Sequence, residues 1–477
     1  MHVPPDDRRT HRADATLLHS MTTLNSITGS AGSLSQFDPQ ALPVSAAQAI
    51  VLQWVTPLAQ NERVPLRDAL ARVLAADVIS PIDVPAHDNS AMDGYAFDGA
   101  ALLASAAVGT PGGATLTLNV AGKAFAGHPY TGAIAPRACV RIMTGAPMPA
   151  GCDTVVPQER VARSNASGEA PAAASITETP IESITFRADA VTPGANRRRQ
   201  GEDLARGSAA LRAGRVLRAS DIGLMASLGV VDVAVKRRLR VAFFSTGDEL
   251  RSPGEPLDAG SIYDSNRYTL GAMLQRLNVE PIDLGVVRDD PESLAATLKA
   301  AAESADVVLT SGGVSVGEAD FTRTQLQALG DVSFWGLAMR PGRPLAFGRI
   351  WSGGHPGAGH AALLFGLPGN PVATMVAFYQ IVRPALIAMS GATPQPVPLI
   401  PARCDAPIRK RPGRTEFQRG IAERDAQGQW HVAPTGSQSS GALSTMSEAN
   451  CFIVLAHESA DLDAGDAVDI MLFDGLV

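Results

Sequence analysis

Apolar positions recur along this chain in two rhythms, and the change of rhythm divides it. Near the start the spacing is helical. Ser45-Ala-Ala-Gln48 has the pattern of a capping box, and Ile50, Val51, Trp54 and Val55 follow on one face. A second helix is expected from about Leu66 to Ala76, with Leu70, Val73 and Leu74 as its buried positions. From about Phe97 to Arg199 the rhythm becomes that of short strands between Gly and Pro turns, as in Thr115–Val120 and Cys139–Met143. Residues 162–179, rich in Ala and Ser, read as an exposed loop. A helix capped by Ser220 and stopped by Gly229 restores the earlier rhythm, so the β-rich block reads as an insertion into a helical region.

Beyond Arg240, strands and helices alternate. Strands are expected at Val241–Phe244, Ile282–Val287, Val307–Leu309, Phe334–Met339 and Ala361–Phe365. Helices are expected at about Arg267–Leu277 and Glu292–Ala302, in a segment ending near Leu329, and after Pro371. Strands at this spacing predict a parallel sheet, whose ligands sit beyond the carboxyl ends of the strands. Glu249, Asp289, Asp320, Arg340 and Arg343 each follow an expected strand, so folding is expected to gather them on one rim. Each acid alone reads as a helix cap. Three on one rim repel one another unless a cation or the arginines compensate, and oxygen-only acidic ligands beside a phosphate suit Mg²⁺. From about Pro396 the chain is β-rich again, with Phe417–Gly420, Gln429–Val432, Cys451–Leu455 and Val468–Leu472.

Several stretches carry candidate chemistry. In Ser311-Gly312-Gly313-Val314-Ser315-Val316-Gly317, a buried strand breaks into a glycine turn before the helix that Asp320 helps open. That is the geometry of a backbone anion site, and equally of a structural turn with a capping acid. Residues 81–96 crowd Asp88, Asn89, Ser90 and Asp93 together, which fits an Asx-rich turn or a site. Arg141–Pro149 ends a strand in a Thr-Gly-Ala-Pro turn. Arg197-Arg198-Arg199 beside Glu202 and Asp203 is a solvated charge cluster or an anion clamp. The stretch Thr435–Gly441, dense in hydroxyls, is a mobile turn or, beside Arg419, an oxyanion site.

Bulk properties narrow the classes. The 477 residues exceed one core and suggest three or four domains. A formal net charge of -7 argues against a general nucleic-acid binder. Four scattered cysteines, Cys139, Cys152, Cys404 and Cys451, form no CxxC pair and fit a reduced, cytoplasmic chain. No run approaches ~20 uninterrupted apolar residues, so no membrane span is expected. Residues 1–40 lack the apolar core of a signal peptide and are expected to form a disordered tail.

Eight of these stretches occur in the order and spacing of a known family. DNSAMDGYA (88–96), RIMTGAPMP (141–149), RRRQGED (197–203), STGDEL (245–250), RDDP (288–291), SGGVSVGEAD (311–320), RPGRP (340–344) and GLPGNP (366–371) make the chain resemble the molybdopterin molybdenumtransferases (MoeA and the E-domain of gephyrin) from about Leu42 onward. The resemblance implies a multidomain α/β protein: a helical linking domain (41–86 and 202–238), an inserted β-rich domain (87–201), a parallel-sheet molybdopterin-binding domain (239–393) and a C-terminal, barrel-like β domain (394–477). It implies a Mg²⁺-dependent reaction of adenylyl-molybdopterin with molybdate that gives molybdenum cofactor and AMP. It also implies a homodimer with clefts lined by both subunits, and contact with other proteins of cofactor biosynthesis.

Residue by residue, it assigns Glu249, Asp289 and Asp320 to the metal. Asp320 is also assigned to catalysis, with Asp93, Thr144 and Asp203 reaching in from the partner. Ser311, Gly312, Gly313, Ser315, Arg340, Arg343, Pro368, Pro371, Arg419 and Ser440 are assigned to substrate, the last two with Arg340 and Arg343 as a molybdate pocket. Arg340 and Arg343 stand where many relatives have lysines, and Gly336 where some have a further lysine. Two other readings share parts of the resemblance: a gephyrin-like scaffold, and an adenylyltransferase built on the α/β domain alone. The flanking motifs tell against the second, and retention of the acids and arginines against the first.

Overall fold

The computed structural model describes residues 38, 40–106, 114–165, 182–313 and 320–476, with the side chains of 103–106 and 320–322 excepted. The chain forms two compact units, one of residues 63–70 and 74–235, the other of 1–62, 71–73 and 236–477.

The smaller unit is built on a six-stranded sheet. Its strands are β1 (Gly94–Phe97), β2 (Thr115–Ala124), β3 (Ala138–Ile142), β4 (Thr154–Pro157), β5 (Ala162–Ser164) and β6 (Ser183–Arg187), in the order β4-β1-β3-β2-β6-β5. Alternation sends Tyr95, Phe97, Cys139 and Phe186 to one face and Ala96, Val140, Ile142 and Val155 to the other, and each face has its own apolar cluster. A third cluster joins Leu74, Leu211, Leu217 and Met225 around the helix Ala219–Ser227. That helix starts after Arg218, not Ser220, whose side chain makes no cap; Asp221 Oδ2 accepts from the Arg218 amide at 2.9 Å instead. Residues 162–164 of the expected loop form β5, and 166–179 lie outside the described residues.

In the larger unit, α1 (Val44–Trp54) buries Val44, Ala47, Ile50, Val51 and Trp54. It follows Pro43 with no side-chain cap, so the expected capping box at Ser45–Gln48 does not form. The expected second helix is a single 3₁₀ turn, Leu66–Asp68. Ala71 adopts φ 60, a left-handed conformation that ends any helix, and Leu70 is 57% exposed.

The α/β sheet comprises β7 (Arg240–Thr246), β8 (Glu280–Val287), β9 (Val307–Ser311), β10 (Gly330–Gly336), β11 (Pro344–Trp351) and β12 (Ala361–Leu367), in the order β8-β7-β9-β12-β11-β10. The first four in that order are parallel, as expected. The expectation of an all-parallel sheet fails at β11, which runs antiparallel to both neighbours. Two reversals leave β10 aligned with β12, so the loop after β10 emerges on the same rim as those after β7, β8, β9 and β12. The strand expected at Phe334–Met339 begins and ends earlier, and Met339–Arg340 pairs instead with Thr415 and Glu416.

Every residue of β9 is buried. One face of the sheet packs on α1, α2 (Asn266–Arg276) and the apolar helical run 371–389. The other packs on α3 (Pro291–Ser304) and α4 (Asp320–Leu329). The run Pro371–Met389 has the length and hydropathy of a membrane span, but 72% of its apolar window is buried in protein, the character of a core helix.

The C-terminal strands, β13 (Ile400–Cys404), β14 (Thr415–Arg424), β15 (Trp430–Pro434), β16 (Cys451–Leu455) and β17 (Ala467–Leu472), follow the order β14-β15-β13-β17-β16. Pairing of β14 with β16 closes them into a five-stranded barrel around Val432, Ile453 and Ile470.

Gly336 marks a close approach. The Leu42 amide bonds its carbonyl at 2.8 Å, and an added Cβ would lie 2.5 Å from Gln40 O and 2.9 Å from Gln40 C. Any side chain here, a lysine included, has to displace the segment 40–42. Gly336→Ala is expected to cost about 1–3 kcal/mol through this overlap. Thermal unfolding reads the cost, and an unchanged midpoint would show that the segment yields freely.

Candidate active site

The rim loops of the larger unit surround a pocket of about 1410 Å³. Of the residues the sequence singled out, Glu249, Asp289, Ser311, Gly312, Gly313, Arg340, Arg343, Pro368 and Ser440 line it. Ser315 lies outside the described residues, and so does the side chain of Asp320, whose backbone opens α4. Pro371 sits one step back, as the first residue of its helix.

Local rules explain how each loop holds its residues. After β8, two adjacent acids divide the work. Asp290 accepts the Ser293 amide at 2.9 Å and caps α3, which holds its carboxyl below the usual range. Both acids border the pocket, and Asp289 Oδ1 accepts from the Thr246 hydroxyl there. After β7, Gly247 at φ +150 lets the Glu249 carboxylate fold over it; an added Cβ would lie 2.5 Å from Glu249 Oε2. After β9, Gly312 at φ +93 passes so close to Thr246 O that a Cβ would lie 2.6 Å away. Among the described residues no three His, Cys, Asp or Glu side chains are grouped to hold a metal ion. The pair Glu249 and Asp289 does share the pocket with the glycine turn, and Mg²⁺ is commonly held by one or two carboxylates together with substrate phosphates.

The basic side of the pocket comes from two loops. Arg340 is 63% exposed at its side chain, and its Nη1 lies 3.9 Å from Oε1 of the buried Glu416, its register partner. Arg343 Nη2 donates to Gln40 O at 3.2 Å. Arg414 also lines the pocket, and the sequence does not single it out because it closes the basic run Arg409-Lys410-Arg411-Pro412-Gly413-Arg414, which reads as a solvated turn. The loop that carries it is held from behind. Lys410, 4% exposed, donates through Nζ to Arg411 O at 3.0 Å and Arg414 O at 2.7 Å.

Arg419 departs most from its expected place. It is 1% exposed and does not line the pocket. Its guanidinium donates to Ser437 O at 2.7 Å, Ser439 O at 2.9 Å, Gln438 O at 3.3 Å and Thr445 Oγ1 at 3.3 Å. Burial and then the charge of Arg340 push its pKa down. Arg419 thus shapes the loop that brings Ser439 and Ser440 to the pocket. Ser440 is pinned further by the Val372 amide, which donates to its carbonyl at 3.0 Å.

The remaining expected residues belong to the smaller unit, where three motifs meet. Asp93 Oδ1 accepts from both the Thr144 amide and the Thr144 hydroxyl at 2.7 Å. These two bonds, the amide first, hold the Asp93 carboxyl below its ordinary pKa. Asp88 pairs with Arg197 and accepts the Gln200 amide at 2.7 Å, while Asn89–Ser90 pairs with Arg197–Arg198. Asp203 lies exposed beyond this pairing, its amide bonded to Val84 O at 3.0 Å.

Fold and pocket together define a multidomain α/β protein whose pocket is lined by a glycine turn, three carboxylates and three arginines. Comparison with known proteins names the class. Residues 42–229 match the MoeA N-terminal region (domain I and II), 242–388 the "Probable molybdopterin binding domain", and 401–473 the MoeA C-terminal region (domain IV). A molybdopterin molybdenumtransferase of Haemophilus influenzae is 40% identical over 91% of this chain and all of its own length. Molybdopterin molybdenumtransferase 2 of Mycobacterium tuberculosis is 33% identical over 85% of this chain and 94% of its own length. A crystal structure of the molybdopterin biosynthesis MoeA protein of Pyrococcus horikoshii superposes with a TM-score of 0.73 at 27% identity, over 91% of this chain and all of that one. The chain belongs to the molybdopterin molybdenumtransferase family, enzymes of molybdenum insertion in molybdenum cofactor biosynthesis.

Two outcomes test the site's construction. Lys410→Met keeps the buried stem but strips two carbonyls of their donor, with an expected cost of about 1–3 kcal/mol. It is expected to raise KM for the anionic substrate more than it lowers kcat, because it loosens the loop that carries Arg414; equal KM values would exclude that role. Thr144→Val keeps the amide donor and removes the hydroxyl, so the Asp93 carboxyl is expected to titrate at higher pH. Carbon-detected NMR of the aspartates reads the shift, and an unmoved Asp93 would mean that the hydroxyl contributes nothing.

Proposed function

We propose that the chain converts adenylyl-molybdopterin and molybdate to molybdenum cofactor and AMP in a Mg²⁺-dependent step. The observation that supports this most is a single pocket where the carboxylates of Glu249, Asp289 and Asp290, a glycine turn and three arginines converge. Such a pocket suits a substrate that brings phosphate groups and a metal oxyanion together. Glu249 and Asp289 would hold the Mg²⁺, which would supply charge neutralisation at the phosphoanhydride.

The chain's own groups do the rest. Ser311 and the turn Gly312-Gly313 meet phosphate oxygens, with positive-φ glycines letting the backbone come close. Asp320, at the start of α4, acts on the anhydride as AMP departs. Arg340, Arg343 and Arg414 attract the molybdate dianion, which also takes hydroxyl bonds from Ser439 and Ser440. Arg419 acts through that serine loop and not by touching the oxyanion. Pro368 and Pro371 stiffen the loop on which the pocket closes. The guanidinium forks at 340 and 343 hold a tetrahedral oxyanion in two-point contacts that an ammonium cannot reproduce.

We further propose a homodimer in which Asp93, Thr144 and Asp203 complete the partner's cleft, working in the cytoplasm beside other proteins of cofactor biosynthesis. The four cysteines are free and buried, which suits a reducing compartment, and burial pushes the Cys139, Cys152 and Cys451 thiols up to about 12.

The test is AMP release from adenylyl-molybdopterin on adding molybdate and Mg²⁺. Asp320→Asn is expected to bind substrate as the native chain does, with turnover lowered on the order of 100-fold. Unchanged turnover would remove Asp320 from the reaction, and absence of AMP from the native chain would overturn the reading.

A further inference from the structure

Asn266, the first residue of α2, borders the pocket but is only 7% exposed. Its Nδ2 donates to Ser311 Oγ and to the backbone carbonyl of Gly369, both at 2.7 Å. The second bond fixes the amide's orientation. A carbonyl oxygen only accepts, so the flipped amide would face it with another acceptor at the same distance. Oδ1 must therefore turn away from Gly369, and there it is buried with no donor. Buried acceptors without donors are few in folded proteins, and one beside a ligand pocket points to a donor that arrives with the ligand.

The chemistry of the substrate narrows that donor. Molybdate carries no N–H, nor does the phosphate or dithiolene of molybdopterin. The pterin does, at its lactam nitrogen and its amino group. We propose that Asn266 Oδ1 accepts an N–H of the pterin ring and is a specificity-determining residue for the heterocycle. This rests on the pocket being the molybdopterin site. The same side chain ties the turn after β9 to the loop after β12, so one residue both aligns the two loops and reads the ring placed between them. A site built to bond an N–H rejects an analogue that lacks it far more strongly than an apolar pocket rejects a change of size. The amino group of an adenylate offers the same chemistry from a second source, and the experiment separates the two.

The full chain is titrated with 6-hydroxymethylpterin, with its N3-methyl and 2-dimethylamino derivatives, and with AMP and N6-dimethyl-AMP. The native chain, Asn266→Ala and Thr374→Val are compared. Thr374 is buried outside the pocket, and its hydroxyl donates to Pro368 O at 2.6 Å, so Thr374→Val loosens the same loop without touching Asn266. The native chain is expected to bind the unmethylated pterin at least about 10-fold tighter than a methylated one. Asn266→Ala is expected to bring that ratio near one, while Thr374→Val keeps it even if both affinities fall.

A ratio in Asn266→Ala equal to the native one overturns the proposal and leaves Asn266 as a loop brace or the seat of a fixed water. No pterin ratio in the native chain overturns it as well. Loss of discrimination in Asn266→Ala for the adenylates alone overturns the pterin assignment. If the native chain binds no pterin at all, the pocket reading itself fails.

Discussion

Arg340, Arg343 and Arg414 border one pocket, and among the described residues the acid paired with any of them is Glu416, 3.9 Å from Arg340. Like charges on one wall of a pocket repel one another. Arg419 lies deeper, and its protonated form is disfavoured first by burial and then by the charge of Arg340. An arrangement of this kind is stable enough to fold yet incomplete in charge. A dianion of the kind proposed for this pocket would relieve that repulsion.

Holding that deficit in place is a matter of backbone. Strands β7, β8, β9 and β12 run parallel, and the two reversals through β11 return β10 to the same direction. Five loops therefore open on one rim, and three side chains lock parts of it. Asp290 caps α3, next to Asp289. The Asn266 amide nitrogen spans the loops after β9 and β12. Thr374 holds Pro368 O at 2.6 Å. Each of these locks decides where a charged or hydroxyl-bearing neighbour stands.

The sequence shows the rim because its central strands are unbroken apolar runs ending in polar turns, a pattern that survives without tertiary information. It hides what depends on partners far along the chain. Strand β11 follows Arg-Pro-Gly-Arg-Pro, which reads as the end of order, and only its pairing with β10 and β12 makes it a strand. The stretch Leu66–Ala76 has helical spacing, but Ala71 takes a left-handed conformation that periodicity cannot foresee. Asn266 gives no signal, being one polar residue at a helix start, and its meaning comes from Ser311 and Gly369, 45 and 103 positions away. The eight motifs singled out Arg340 and Arg343 but passed over Arg414, because position in a barrel loop and not motif membership brings it to the pocket.

Lys410 and Arg419 add a last step. Both are cations buried almost completely, at 4% and 1% exposure, and burying a charge is costly unless its donors are satisfied. Both are satisfied mainly by backbone carbonyls, Arg411 and Arg414 for the lysine, and 437–439 for the arginine. Carbonyl dipoles stabilise a cation without cancelling its charge as a carboxylate would. Each buried cation therefore does two things at once: it clamps a barrel loop that carries Arg414 or the serines to the pocket, and it leaves its positive charge behind that loop. A carboxylate partner would hold the loops as firmly but remove that charge. With carbonyls and not carboxylates around Lys410 and Arg419, the barrel loops keep positive charge behind them, which favours the oxyanion proposed for the pocket.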